Sequence, residues 1–134
     1  MPLAKKLLDE LIEAARDAST RAYCRYSKFP VGAAVLTADG TITVGCNVEN
    51  ASYGLTICAE RNAVFRAVAD GHRHIVAVVV YTPTDKPTAP CGACRQVLSE
   101  FGHDAQVVSA CQTSAVLRTS VRKLLPEAFG PGSQ

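Results

Sequence analysis

Leu3, Leu7, Leu8, Leu11, Ile12 and Ala15 recur at helical spacing, while Lys6, Asp9, Glu10, Glu13 and Arg16 occupy the opposite face. This predicts an amphipathic helix at the start of the chain. The period then shortens. Residues 31–36 and 41–48 are β-prone runs separated by Ala38, Asp39 and Gly40, and Asp-Gly between two such runs signals a hairpin. Helical character returns over 59–69, with Gly71 as its stop. The run 75–80 is continuously apolar and β-branched, as expected of a central strand covered on both faces in a parallel arrangement. Cys94, Val97, Leu98 and Phe101 share a face of a further helix. Short strands near 106–109 and 115–118, a helical turn at 121–125 and a Gly- and Pro-rich tail from Phe129 complete the pattern. Alternating strands and helices predict a layered α/β fold.

The 134 residues match one domain, residues 1–134, long enough to bury a real core. About half of them are apolar (48%) and 19% are charged, the balance of a globular protein and not of a disordered one. The net charge of +2, with no run of like charges, argues against nucleic acid and an anionic membrane as partners and leaves a small molecule. No apolar leader follows a basic start and no stretch approaches the ~20 apolar residues of a membrane span, so a cytoplasmic location is expected. In that compartment six cysteines point to metal or redox work ahead of disulfides.

Cys58 opens the run Cys58-Ala59-Glu60, and Pro90 precedes Cys91-Gly92-Ala93-Cys94. Taken alone, Cys91 and Cys94 read as well as a redox pair or core residues as they do as metal ligands. Adding Cys58, with Glu60 two residues on, supplies three thiolates for a tetrahedral zinc whose fourth position stays open, the arrangement of a catalytic site. Cys58 and Cys91 both fall at predicted helix starts, where the helix dipole favours thiolate. Three thiolates on Zn²⁺ leave a formal charge of minus one, and Arg61 is placed to donate hydrogen bonds that offset it. Asn47 and Glu49 alternate with Val48, so both point the same way. By themselves they read as a polar strand end facing water. Phe29, before Pro30, offers a ring that could stack on a flat ligand or pack in the core.

Five runs carry a resemblance: residues 29–34 (Phe-Pro-Val-Gly-Ala-Ala), 45–54 (Gly-Cys-Asn-Val-Glu-Asn-Ala-Ser-Tyr-Gly), 58–61 (Cys-Ala-Glu-Arg), 90–98 (Pro-Cys-Gly-Ala-Cys-Arg-Gln-Val-Leu) and 124–130 (Leu-Leu-Pro-Glu-Ala-Phe-Gly). Together they make the chain resemble the small, homotetrameric, zinc-dependent cytidine deaminases over nearly its whole length. The resemblance implies a three-layer α/β/α sandwich on a mixed, about five-stranded sheet. It implies one Zn²⁺ per subunit on Cys58, Cys91 and Cys94, and hydrolytic attack at C4 of cytosine with release of ammonia. Glu60 then moves the protons. Phe29 stacks on the base, the backbone around Ala59 reads its edge, and Asn47 and Glu49 hold the ribose. Tyr53 and Phe129 resemble positions that reach a neighbouring subunit's site. Cytidine and 2'-deoxycytidine are the implied substrates, in pyrimidine salvage. Arg25 departs from the family, which often carries proline there.

Two other readings compete. Another zinc deaminase of the superfamily, for example a blasticidin-type one, would share the metal motif. A non-catalytic zinc module would need a fourth protein ligand and would have no use for Glu60.

Overall fold

A computed structural model describes residues 3–130. The opening amphipathic pattern forms α1 (Lys5–Ser19), whose Leu8, Leu11, Ala15 and Ala18 are buried. β1 (Gly32–Thr37) and β2 (Ile42–Cys46) pair antiparallel. Between them Gly40 has φ +91°, a left-handed conformation that a side chain would resist. The predicted second run leaves the sheet after Cys46, and Val48 makes isolated bridges to Tyr23 and Ile57. A short 3₁₀ turn (Tyr53–Leu55) leads to α2 (Ala59–Ala69), and Gly71 at φ +95° follows it. Next come β3 (Ile75–Tyr81), α3 (Gly92–Gly102), β4 (Gln106–Ala110), β5 (Val116–Ser120) and α4 (Val121–Leu124).

The strands form one five-stranded sheet in the order β2-β1-β3-β4-β5. β3 is central, as its apolar run predicts, but its setting is only half parallel. It pairs parallel with β4 and antiparallel with β1. The continuous apolar pattern follows from burial on both faces, which helices on either side of a mixed sheet impose just as well.

Side chains alternate across a strand, so the sheet feeds two separate cores. On one face Leu8, Leu11 and Ala15 of α1 pack with Leu36, Ala77 and Val79. On the other, Ala63 and Val64 of α2 and Leu98 of α3 pack with Val35, Val78 and Val80. The result is a helix–sheet–helix sandwich. Each fully buried Val, Leu or Ile contributes about 1.5–3 kcal/mol to it.

Gly45 sets the height of α2 over the sheet. A Cβ there would stand 2.4 Å from the Ala63 nitrogen and 2.7 Å from the Ala59 carbonyl oxygen. The contact is possible only without a side chain, and it brings the start of α2 beside the carboxyl end of β3. Among the described residues no helix is long and apolar enough to cross a membrane.

Candidate active site

Two helices start at the carboxyl end of β3. Cys58 immediately precedes α2 and Cys91 immediately precedes α3, both in extended backbone, and neither side chain caps its own helix. The sulfurs turn toward each other instead. Cys58 Sγ lies 3.8 Å from Cys91 Sγ, which lies 3.4 Å from Cys94 Sγ. All three fall within 4.8 Å of one another, and among the described residues no other His, Cys, Asp or Glu completes the group. All six cysteines are free, and Cys24, Cys46 and Cys111 stand outside the cluster.

These distances fit zinc. Two sulfurs on a tetrahedral ion, each at about 2.3 Å, stand about 3.8 Å apart. The thiols themselves show the strain of proximity. A hydrogen bond from Cys94, helped by Arg61, holds the Cys58 thiol down at about 5. The same contact with Cys58, together with burial and the nearby Glu60 carboxylate, pushes Cys94 well above the ordinary thiol range. Three sulfurs this close cannot all be thiolate unless a cation replaces their shared protons.

The loop that carries Cys91 has three prolines and no regular structure, so side chains hold it. Thr82 and Thr84 join their hydroxyls at 2.7 Å, and Thr84 Oγ1 donates to the Lys86 carbonyl at 2.7 Å. From the β4–β5 connection, Thr113 Oγ1 donates to the Asp85 carbonyl (3.0 Å) and Gln112 Nε2 to the Asp85 carboxylate (2.9 Å).

A cavity of about 280 Å³ opens over Cys58 and Cys91, while Cys94 is buried away from it. Phe29, Asn47, Glu49, Ala59 and Glu60 line the same space. Glu60 is only 5% exposed. Burial pushes its carboxyl up to about 7, the Cys58 charge adds to the rise, and its own backbone N–H and Arg61 oppose it. Arg61 Nη2 donates to Cys58 Sγ at 3.4 Å, as its position in the sequence predicts.

Asn47 and Glu49 are committed in part to their own chain. Asn47 Oδ1 accepts from the Val31 amide and its Nδ2 donates to the Phe29 carbonyl, both at 2.9 Å. Glu49 Oε1 accepts from the Tyr26 and Ser27 amides at 3.0 Å, and Oε2 accepts from the Ser27 hydroxyl. Hydrogen bonds from Ser27 and Tyr26 hold this half-buried residue's carboxyl below its ordinary range. The count leaves one amide hydrogen on Asn47 and lone-pair capacity on Glu49 Oε2 for a ligand. Asn47 thus ties down the Phe29 backbone directly, and Glu49 holds Ser27, whose hydroxyl accepts from the Phe29 amide at 3.1 Å.

Tyr53 and Phe129 do not line this cavity. Tyr53 borders an adjoining pocket that shares Ser27, Glu49 and Thr56 with it, and its ring meets Tyr26 edge-on at 6.4 Å. Phe129 is 76% exposed and Tyr53 78%. Arg25, at the odd position of the family pattern, lays its guanidinium over the Tyr26 ring at 5.5 Å. Sequence reasoning passed over Ser27, Thr56 and Thr88, whose only signal is proximity to Phe29, Cys58 and Pro90. It also passed over Val80, which reads as plain core.

Residues 5–111 match the family model of the cytidine and deoxycytidylate deaminase zinc-binding region. The chain belongs to this family. The deaminase is 49% identical over 123 residues to a cytidine deaminase of Sporosarcina psychrophila, covering 91% of this chain and 90% of the relative. It aligns with the crystal structure of cytidine deaminase from Burkholderia pseudomallei at a TM-score of 0.87 and 52% identity, over 90% of this chain and 98% of that one. A blasticidin-S deaminase of Bacillus cereus is more distant, 29% identical over 125 residues that cover 87% of this chain and 88% of the relative. The matched region is a zinc-binding one, and Cys58, Cys91 and Cys94 are the cluster among the described residues that fits the ion.

Proposed function

We propose that this deaminase hydrolyses cytidine and 2'-deoxycytidine to uridine and 2'-deoxyuridine, releasing ammonia. One observation carries the reading: a buried glutamate shares a small cavity with two sulfurs of a three-cysteine cluster that has no fourth protein ligand among the described residues. Cys58, Cys91 and Cys94 would hold the zinc ion, which when bound would lower the pKa of water and supply a nucleophile near neutral pH.

Glu60, which lines the same cavity as Cys58 and Cys91, would accept the proton of the attacking water. It delivers the proton to N3 of the ring, then takes the remaining proton from the hydroxyl newly bonded to C4 and passes it to the departing amino group, so that ammonia leaves as the C4 carbonyl forms and one carboxyl acts as base and then as acid. Phe29 stacks on the pyrimidine, and the backbone at Ala59 reads the edge of the base. The spare amide hydrogen of Asn47 and the spare lone pair of Glu49 meet the ribose hydroxyls, which favours a nucleoside over the free base. Leaving either group unpaired in a closed site costs a few kcal/mol. Arg61 offsets the charge of the thiolates.

Tyr53, Leu55 and Phe129 are large, apolar and exposed. They suit a homotetramer in which neighbouring subunits complete each site. Residues 1–134 then form one deaminase domain, working in the cytoplasm in the salvage of pyrimidine nucleosides. Neither rival gains support: the blasticidin-S relative is the more distant one, and a non-catalytic zinc module lacks its fourth ligand among the described residues.

The test is ultraviolet-monitored conversion of cytidine to uridine by purified protein beside a zinc-loaded Glu60→Ala variant. Conversion by the parent alone supports the reaction, the substrate and the role of Glu60. A zinc-loaded parent that leaves cytidine untouched overturns the proposal.

A further inference from the structure

We propose that Arg95 is a positioning residue that latches the C-terminal segment onto the loop carrying Cys91, and that retention of the metal depends on this latch. The inference rests on zinc binding by Cys58, Cys91 and Cys94.

Arg95 is the fourth residue of α3, and a cation in the first turn of a helix opposes the macrodipole. Its placement therefore needs specific partners. A helical side chain leans toward the N-terminus, and this one reaches back to donate from Nε to the Pro90 carbonyl at 2.8 Å. Nη1 of the same guanidinium donates to the Leu124 carbonyl at 3.1 Å. Pro90 is bonded directly to Cys91. Leu124 ends α4, so its carbonyl is one that the helix cannot satisfy itself.

The next residue grips the same segment. Gln96 Nε2 donates to the Phe129 carbonyl at 2.9 Å. Between the two grips Glu127 has φ +53°, uncommon for a residue with a side chain. A planar guanidinium serves two carbonyls in different directions at once, which a lysine ammonium on a flexible stem does less well. Neither Arg95 nor Gln96 lines the cavity, so an effect on the metal is indirect: it passes through Pro90 to Cys91 and through the peptide bond to Cys94.

Zinc release to an excess of chelator, followed with a chromophoric zinc indicator, tests the latch on the parent, R95M and R95K. The thiolate-to-metal absorption of the cobalt-substituted proteins is a second readout, and thermal unfolding of the zinc forms controls for folding. Residues that orient metal ligands from behind typically change affinity by roughly 10- to 100-fold, so R95M is expected to lose zinc about ten-fold faster, with an altered cobalt band. R95K is expected to fall between R95M and the parent. Release from R95M at the parental rate with an unchanged cobalt band overturns the inference and leaves the zinc site standing. Should R95M fail to fold, R95K decides: faster release supports the latch, and parental release overturns it. A parent that binds no zinc overturns the zinc reading itself and this inference with it.

Discussion

The two ends of the sheet differ in how they treat local rules. At the end where β1 turns back, Thr37 Oγ1 and Asp39 close the hairpin, Gly40 and Gly71 take the positive φ values, and Asp39 lies 3.2 Å from His72. Ser120 caps α4 by accepting from the Lys123 amide at 3.2 Å, and Arg122 pairs with Asp104 at 2.6 Å. At the opposite end both helices start on uncapped cysteines, arginines occupy first turns, Glu60 is buried, and Lys28 and Glu127 hold positive φ. The conforming end also has the larger cavity, about 620 Å³ lined by His74, Phe101 and His103 among others, yet no metal cluster forms there among the described residues. Cavity size therefore does not mark the chemistry here. Departures from local preference do, because strain and unsatisfied charge persist only where function or the surrounding fold compensates them.

This contrast predicts that substitutions at the irregular end alter turnover more than stability, and those at the regular end the reverse. The largest effect belongs to Glu60→Ala. Loss of a general acid–base group lowers turnover by roughly 10²- to 10⁴-fold, about 3–5 kcal/mol, with zinc content and melting temperature near those of the parent. Steady-state kinetics beside metal analysis checks this. Gly102→Ala is the counterpart at the regular end, since its Cβ would stand 2.4 Å from the Ile75 carbonyl oxygen. Overpacking of that kind costs about 1–3 kcal/mol in denaturant titration, with turnover per folded molecule unchanged. A Gly102→Ala protein of full stability and impaired turnover would break the contrast.

Arg61→Gln is expected to retain zinc and lose about ten-fold in turnover, because a hydrogen bond to a thiolate ligand at 3.4 Å is removed. Undiminished turnover would mean that the helix N-termini alone offset the thiolate charge. The smallest effect is at Asp39, whose carboxyl is lowered from 3.8 to about 2 by hydrogen bonds from Thr37 and Thr41. A depressed carboxyl stabilises the fold above its unfolded value and loses that contribution as pH falls through its folded value. Asp39→Asn should therefore flatten the stability profile between pH 3.8 and about 2 and leave activity near neutrality alone. An unaltered acid limb in that variant would show that Thr37 and Thr41 do not stabilise the ionised form in solution.

Much of this was legible without coordinates, and for local reasons. The period of α1, the Asp-Gly turn and the apolar run of β3 each depend on neighbours a few residues away. So does the placement of Cys58 and Cys91 at helix starts. The parallel setting of β3 was only half right because burial on both faces constrains the residues but not the direction of the adjacent strand. Asn47 and Glu49 were recognised as a pair facing one way, whereas their bonds to Phe29, Val31, Tyr26 and Ser27 were not. Those partners lie 16 to 23 residues away.

The sequence by itself determined the type and order of the main helices and strands, the layered α/β class and the set of residues able to hold zinc, since these follow from periodicity and side-chain chemistry. Only the tertiary structure decided that three sulfurs meet within 4.8 Å, that Glu60 is buried beside them, and that Tyr53 and Phe129 stay outside the cavity. It also decided that Arg95 spans Pro90 and Leu124. The physical reason is distance along the chain. Cys58 and Cys91 are 33 residues apart, and their meeting depends on how closely α2 and α3 pack over the sheet, a contact that Gly45 permits and no local pattern encodes.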